Sequence, residues 1–196
     1  AKTVTGSCYS IKTKNWNILV DCGMFQGGKD LERRNYEEFG FNPKEYHYLL
    51  LTHAHLDHCG RIPKLVKEGF KGTIYCTSAT KDLTYVILMD AAKIASHDAV
   101  SENKRRAKEN LPPREPIYTE GDVEKAMELF EIVDANEKFQ INDHIAVKYY
   151  DAGHILGACS IQLKIKEGKK DTTIVFSGDL GQAGTPIVRD IELIGE

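Results

Sequence analysis

Short apolar runs, each followed by polar or glycine-rich positions, recur through the first third of the chain. The runs at residues 4–11, 17–20, 48–51 and 72–76 have lengths typical of buried strands. Between them, the charged stretch 30–39 is predicted to be partly helical, and a helix is predicted from residue 61 to about residue 69. Strands that alternate with helices indicate an α/β fold.

A long helical segment is predicted over residues 79–110, with Ser78 as its N-cap. Residues 83–89 are apolar on all sides, so we expect that half of the helix to be buried. The other half is charged all round, and a solvated helix face is favoured over a nucleic-acid contact for its basic run at residues 104–106. A compact αβ unit does not need so long an excursion, so we interpret residues 79–131 as a helical elaboration of the core fold.

The second half of the chain begins with an amphipathic helix and continues with strands. Residues 119–122, Thr-Glu-Gly-Asp, resemble a capping box, and the apolar side chains that follow have the spacing of one core-facing stripe. The stripe comprises Val123, Ala126, Met127 and Phe130. Strands are predicted over residues 145–150, 159–165 and 172–176, and together the elements predict fold class α/β or α+β.

The composition is that of an ordinary globular protein: 196 residues, 41% hydrophobic, 28% charged, with a formal net charge of -3. This balance gives no global electrostatic case for nucleic-acid binding, so any polyanion contact is expected to be local. The five cysteines are odd in number and include no CxxC pair, which favours a reducing compartment; Cys59 is interpreted as a small buried residue rather than a ligand. The sequence contains no apolar run of membrane-spanning length and no signal-peptide layout, so we expect a cytoplasmic protein without a membrane partner.

The stretch THAHLDHCG at residues 52–60 concentrates ligand-type side chains at the end of a predicted strand. His53 and His55 are two residues apart and point the same way in an extended segment. Asp57 and His58 follow where the chain turns into a helix, so they can face a second point. Imidazole and carboxylate groups suit zinc and its neighbours, and one short loop can therefore serve two metal ions.

Two later loops and one earlier strand end carry further ligand-type residues. His154 lies in a glycine-flanked loop and would complete three imidazoles on the first metal. Asp179 follows the strand at 172–176; it is either a turn residue or a carboxylate that bridges two metals. Asp21 has no paired ligand nearby, so we predict that it accepts a ligand-histidine N–H or holds the ligand loop. The remaining histidines are interpreted as structural or exposed: His47, His97 and His144.

Residues 53–58, HAHLDH, resemble the HxHxDH signature of the metallo-β-lactamase fold, and Asp21, His154 and Asp179 follow the order of its first, third and fourth motifs. The segments VTGSCY, DHCGRIP, HILGA and FSGDLG, together with the long helical excursion, are similar to the β-CASP subgroup of nucleic-acid-processing nucleases. The resemblance implies an αββα sandwich with two zinc ions. It implies a first metal on His53, His55 and His154, a second on Asp57 and His58, and a bridge by Asp179.

The same resemblance implies that residues 1–196 are the N-terminal part of a metallo-β-lactamase domain, without the β-CASP domain or the C-terminal completion. In the family, histidines from that later part complete the second metal site and help to protonate the leaving group. We therefore expect the first metal position to be filled, the second to be partial or empty, and catalysis to depend on the missing part. Surfaces that the missing part would cover make self-association a further expectation.

The leading functional hypothesis is a two-zinc phosphodiesterase that cleaves RNA, or DNA as in a few family members, in RNA processing or degradation. A bridging hydroxide would attack phosphorus, with Asp57 and Asp179 as the catalytic carboxylates. One alternative is a hydrolase of a small thioester, lactone or β-lactam, which the long excursion disfavours. The other is a non-catalytic scaffold subunit of an RNA-processing complex, which the full set of available ligands disfavours.

Overall fold

Two β-sheets pack face to face in the computed structural model, which describes residues 4–168 and 170–195. In the first sheet, β1 is antiparallel to β2, and β2, β3, β4 and β5 run parallel to one another. The bounds are β1 (Tyr9–Lys12), β2 (Asn17–Val20), β3 (Tyr48–Leu50), β4 (Thr73–Cys76) and β5 (Phe130–Ile132). The carboxyl ends of the parallel strands meet at one edge, which is where ligand sites of α/β proteins lie.

The second sheet contains four antiparallel strands in the order β6 to β9. The bounds are β6 (Lys138–Asn142), β7 (Ile145–Asp151), β8 (Cys159–Glu167) and β9 (Lys170–Phe176). Strands β7 and β9 flank β8 and both run opposite to it, so they end at the same edge of the sheet. The loops that follow β7 and β9 are therefore neighbours.

Alternating side chains of the central strands separate two apolar clusters, because successive residues of a strand point to opposite faces. Leu19 and Leu49 pack with residues of the helices, whereas Ile18 and Leu50 pack against the second sheet. The helices are α1 (Lys29–Arg33), α2 (Leu56–Cys59), α3 (Ile62–Lys67), α4 (Ser78–Lys108) and α5 (Glu120–Met127). The described residues thus form a helix layer and two sheets, three layers of an αββα sandwich, and the predicted α/β class is confirmed.

The predicted strand at residues 4–11 was wrong in its start. The strand begins only at Tyr9, because the preceding segment leaves the sheet: Ser7 N–H donates to the Asp57 carbonyl and the Ser7 carbonyl accepts from Gly23 N–H. The helix predicted from residue 61 to about residue 69 is present as α3, but a separate helix that was not predicted, α2, precedes it and begins at Leu56. Asp57 and His58 therefore lie on the first turn of a helix and not on the loop before it.

Helix α4 is a single helix of 31 residues, but only one of its faces is buried. Tyr85 and Val86 are 42% and 62% exposed, so the expectation that residues 83–89 are buried on all sides was wrong. The buried residues are spaced four apart: Thr80, Thr84, Leu88 and Ala92. The N-cap is Thr77 rather than Ser78, since the Thr77 side chain accepts from Thr80 N–H.

The charged end of α4 agrees with the solvated face that the sequence predicted. Arg105 pairs with Glu102 at 2.8 Å, and the Arg106 Nε donates to the Pro112 carbonyl at 2.7 Å. Arg105 and Arg106 of the basic run therefore make contacts within the helix and with the turn that follows it.

Two short strands, β5 and β6, were not predicted. Phe130 was assigned to the stripe of the helix, but α5 ends at Met127 and Phe130 opens β5, where it pairs with Ile74 of β4. Only three residues long and with a single buried position, β5 carries no periodicity of its own. Its conformation depends on pairing with β4.

Helix α5 begins with the predicted capping box, which is confirmed. We expect Thr119→Ala to lower the free energy of unfolding by about 1 kcal/mol, because the N-cap side chain that accepts from Asp122 N–H is lost. Chemical denaturation measures the change, with Ser101→Ala on an exposed position of α4 as the control. Equal unfolding free energies for the two variants would contradict a stabilising role for the capping box.

Candidate metal centre

Four strand ends bring the predicted site residues to one edge of the sandwich. β2 ends just before Asp21 and β3 just before Thr52, and these strands are parallel neighbours, with Val20 paired to Leu50. In the second sheet, His154 follows β7 and Asp179 follows β9. The two sheets thus deliver residues that are far apart in the sequence to the same place.

One ligand-type atom each from His53, His55, His154 and Asp179 lies within 4.8 Å of all the others. His55 Nδ1 is 3.2 Å from His53 Nε2 and 3.1 Å from His154 Nε2. The Asp179 Oδ2 is 3.7 Å from His154 Nε2 and 3.9 Å from His53 Nε2. Three imidazole nitrogens and a carboxylate oxygen that converge in this way match the donor set of a divalent transition metal.

A second group of ligand-type atoms surrounds His58. Its Nε2 atom lies 3.3 Å from Asp179 Oδ1 and 3.9 Å from Asp57 Oδ2. Asp179 therefore directs one oxygen towards His53 and His154 and the other towards His58. The carboxylate has the geometry of a bridge between two adjacent positions.

Asp21 is buried beneath both groups and accepts from Thr52, from His58 and, at 3.5 Å, from the Ser7 hydroxyl. Its Oδ1 atom accepts from Thr52 N–H at 2.9 Å, both oxygens lie 3.0 Å from the Thr52 hydroxyl, and Oδ2 is 2.7 Å from His58 Nδ1. Burial raises the pKa of the Asp21 carboxyl, and the hydrogen bonds from His58 and Thr52 oppose that increase. Asp21 therefore contacts both a histidine ring and the backbone of the loop at residues 52–60. These are the two contacts that the sequence offered as alternatives.

Proton counting around Asp21 assigns the tautomers of two histidines. The Thr52 hydroxyl has one proton, and it faces the Asp21 carboxylate, so its oxygen accepts from His53 Nδ1 at 3.0 Å. His58 likewise places its Nδ1 proton on Asp21. In the neutral form of each ring, Nε2 then carries no proton and faces the centre, as metal binding requires. Sequence reasoning missed Thr52; the hydroxyl next to His53 was the available signal.

The pKa values of His53 and His55, two histidines of the first group, are both lowered, which favours their neutral form. Burial lowers the pKa of His53 to about 2, with further lowering from the neighbouring imidazoles of His58, His55 and His154. Burial and His154 also lower the pKa of His55. Burial alone would lower the pKa of His58, but the hydrogen bond with Asp21 and the nearby carboxylates outweigh it, and the pKa is raised.

The loops that carry His154 and Asp179 are in direct contact. Gly181 N–H donates to the Ala152 carbonyl at 2.9 Å, and a Cβ at Gly181 would lie 1.7 Å from the Gly153 oxygen. Only glycine fits this approach. The contact holds the loop of His154 directly against the loop of Asp179.

The residues that were predicted to lie outside the site do so. Cys59 is buried and its thiol donates to the Ala54 carbonyl, and burial raises its pKa. His47 accepts from Asn17 N–H through Nδ1, and the side chain of His97 is 84% exposed. His144 lies in the turn before β7, at the opposite end of that strand from His154, and donates its backbone N–H to the Asn142 side chain.

An α/β sandwich with three imidazoles and a carboxylate at its strand ends defines a metal-binding protein of the αββα type. A family model described as the metallo-beta-lactamase superfamily matches residues 1–146. The chain belongs to the metallo-β-lactamase superfamily, and the resemblance inferred from the motifs is confirmed.

Curated relatives of the chain include a ribonuclease, a transcription termination factor and a cleavage and polyadenylation specificity factor. The chain is 36% identical over 193 residues to ribonuclease TTHA0252 of Thermus thermophilus, covering 98% of this chain and 39% of that protein. It is 31% identical to transcription termination factor FttA of Methanocaldococcus jannaschii, covering 92% and 26% of the two chains. It is also 31% identical to cleavage and polyadenylation specificity factor 73 of Drosophila melanogaster, covering 90% and 23%. The chain thus spans less than half of each relative.

Solved structures agree on the fold. A metallo-β-lactamase of Cronobacter sakazakii is 20% identical with a TM-score of 0.51, over 95% of this chain and 61% of that one. MEM-A1, a subclass B3 enzyme from a soil metagenome, is 20% identical with a TM-score of 0.50, over 88% and 56%.

Among the described residues, no helix combines the length and apolar character needed to cross a membrane.

Proposed function

We propose that this protein is a zinc-dependent hydrolase of RNA phosphodiester bonds. The observation that carries the proposal is the convergence of four ligand atoms from His53, His55, His154 and Asp179 within 4.8 Å. The 36% identity to a ribonuclease over 98% of the chain supports the reaction class. The substrate and the metal are both inferred, because the chain spans only 39% of that relative.

Zinc suits the first position because its donors are three imidazoles and one carboxylate. We propose that His53, His55, His154 and Asp179 hold the first ion. The second position is formed by His58 and Asp57, with Asp179 shared between the two. It has one fewer ligand of its own than the first, so the first position is expected to bind zinc more tightly.

When bound by these residues, zinc would supply a water molecule of lowered pKa and would stabilise negative charge on a phosphate oxygen. The side chains of the protein position the water and the phosphate. Asp57, whose side chain is 24% exposed, faces the centre beside His58 and is proposed to orient the water by accepting its proton. The neutral imidazoles of His53 and His55 add no positive charge of their own, so the centre depends on the metal for attraction of the phosphate.

A cleft of about 470 Å³ beside His58 and Asp179 supports a nucleotide substrate. Tyr9 and Phe176 line it, with ring centroids 5.4 Å apart, and Tyr9 is 53% exposed. An exposed aromatic ring such as Tyr9, next to a phosphate-attracting centre, is a surface on which a single-stranded base can stack. We propose that RNA enters along this cleft.

Metal content and RNA cleavage measured together test the proposal. We expect about one zinc ion per chain after purification in the absence of chelator, because the first position has the fuller ligand set. Removal with EDTA should abolish RNA cleavage by a chain extended to the length of the relatives, and added zinc should restore it. Cleavage that survives complete zinc removal would contradict the proposal.

Two parallel measurements distinguish the other functions. Hydrolysis of nitrocefin or S-lactoylglutathione without RNA cleavage would identify a small-molecule hydrolase. A purified protein that contains no zinc and binds none would identify a scaffold. Cleavage assayed on this chain and on the extended chain then measures how much of the activity the 196 residues provide.

A further inference from the structure

Two threonine hydroxyls at the start of α4 donate to one backbone carbonyl in the loop that carries His154. Thr77 Oγ1 lies 2.8 Å and Thr80 Oγ1 lies 2.9 Å from the Gly157 oxygen. Thr80 is fully buried and Thr77 is nearly so. A carbonyl oxygen has two lone pairs, and these two donors can occupy both. The bonds join residues that are 80 and 77 positions apart in the sequence.

Gly157 lies against the first turn of α4 without space for a side chain. Its φ is +76°, and a Cβ there would be 2.6 Å from Thr77 Oγ1 and 2.7 Å from Thr80 N. The contact is therefore a close backbone approach in a conformation that favours glycine. The loop has no room to shift towards the helix, and the two hydroxyls prevent a shift away from it.

Hydrogen bonds within the loop carry this constraint to His154. Ala152 N–H donates to the Ala158 carbonyl, and Ala158 N–H donates to the Ile155 carbonyl, both at 3.0 Å. His154 lies inside this closed turn, three residues before Gly157. A displacement of Gly157 therefore displaces the backbone that holds the imidazole.

His154 depends on its backbone more than His53 and His58 do. His53 and His58 each have a partner for Nδ1, in Thr52 and Asp21 respectively. No residue within 4–168 and 170–195 forms a hydrogen bond with Nδ1 of His154, whose side chain is 24% exposed against 1% for His53. Outside the site itself, where Nε2 faces His55 at 3.1 Å, the described residues give this ring no hydrogen bond, so its orientation depends on the loop conformation.

We infer that Thr77 and Thr80 are positioning residues for His154: their hydroxyls hold the Gly157 carbonyl and thereby set the distance of this imidazole from the other ligands. The inference rests on the proposed metal centre. Thr80 is the better position to test, because Thr77 also caps α4 and its loss would shorten the helix.

The first test compares three variants by zinc affinity, measured by competition with a chromophoric chelator on the purified protein. Thr80→Val keeps the shape but removes the donor, and we expect about tenfold weaker binding, the lower end of the range for groups that orient a ligand. Thr80→Ser keeps the hydroxyl and should bind within about twofold of the original protein. Thr84→Val is the matched control: Thr84 lies one turn along the same buried face, and its hydroxyl bonds to no described residue of the loop.

A double-mutant cycle separates positioning from general loosening. Once His154→Ala has removed the imidazole, Thr80→Val should have no further effect on zinc affinity. A drop of equal size in both backgrounds would overturn the inference, as would equal affinities for Thr80→Val and Thr84→Val. If Thr80→Val does not fold, Thr80→Ala and Thr84→Ala replace the valine pair in the same comparison.

The same measurements distinguish this inference from the metal centre on which it rests. Zinc affinity that is unchanged by His154→Ala would refute the proposed centre, and the positioning role with it. Zinc affinity that falls with His154→Ala but not with Thr80→Val would leave the centre intact and refute only the positioning role.

Discussion

Replacing His53 with alanine is expected to weaken zinc binding by on the order of a thousandfold, roughly one ligand's share of the total binding energy of a four-ligand site. His53 is fully buried, and its Nε2 lies 3.2 Å from His55 Nδ1. No water can take its place without opening the core, because the ring is enclosed by the sheet ends. RNA cleavage by the extended chain should be lost together with the zinc, as measured by metal analysis and a cleavage assay on the same samples.

His97→Ala is the matched control for that experiment. His97 is on α4, its side chain is 84% exposed, and its close charged neighbour is Asp98. Zinc content and cleavage should be unchanged in this variant. A His53→Ala protein that retains the zinc affinity of the original, while remaining folded, would show that the metal lies elsewhere.

Two substitutions of Asp21 are expected to differ in their effects on stability and on metal binding. Asp21→Ala leaves the Thr52 N–H, the Thr52 hydroxyl and the His58 Nδ1–H without an acceptor in a buried place, and should lower the free energy of unfolding by about 3 kcal/mol. Asp21→Asn keeps the shape and one acceptor, and should cost about 1 kcal/mol. Chemical denaturation of both variants measures the difference.

The asparagine variant should nevertheless impair the second metal position. Its amide NH₂, when it faces His58 Nδ1, turns that nitrogen into an acceptor and moves the ring proton to Nε2, the atom that faces Asp179. Long-range ¹H–¹⁵N NMR spectra of the imidazoles report the tautomer directly. We expect the His58 tautomer to switch, and the weaker zinc-binding event to decline by about tenfold.

Asp90→Asn, at an exposed position of α4, removes the same charge without touching the network and serves as the control. An unchanged His58 tautomer in Asp21→Asn would contradict the proton assignment around Asp21. Equal stability losses for the asparagine and alanine variants would show that the charge of Asp21, rather than its accepting oxygens, stabilises the ligand loop.

The sequence predicted those elements correctly that have a clear local signal. Strand β2 occupies the predicted residues 17–20, and α5 begins at the predicted capping box. Both depend on neighbouring residues: a short apolar run after a polar turn, and two side chains three positions apart. Such signals are contained within a few residues, and the tertiary structure does not have to supply them.

The hydrophobic pattern did not predict burial correctly where burial depends on which face of a helix or strand contacts another element. Residues 83–89 are apolar on all sides, yet α4 buries only one stripe, and Val86 points to solvent. Apolar composition cannot say how much of a helix surface the rest of the fold will cover. The same limit applies to β5, which is a strand because it pairs with β4 and not because of its own sequence.

For the candidate centre, the sequence by itself determined the kind of ligand and its place after a strand: His53 and His55 after β3, His154 after β7, Asp179 after β9. Only the tertiary structure decided which atoms face one another. It aligned the ends of two sheets so that Asp179 directs one oxygen to each group of histidines, and it placed Asp21 and Thr52 where they assign the ring protons. It also joined Thr80 to Gly157 across 77 residues. Contacts of this kind arise from the packing of sheets and helices, and no spacing along the chain encodes them locally.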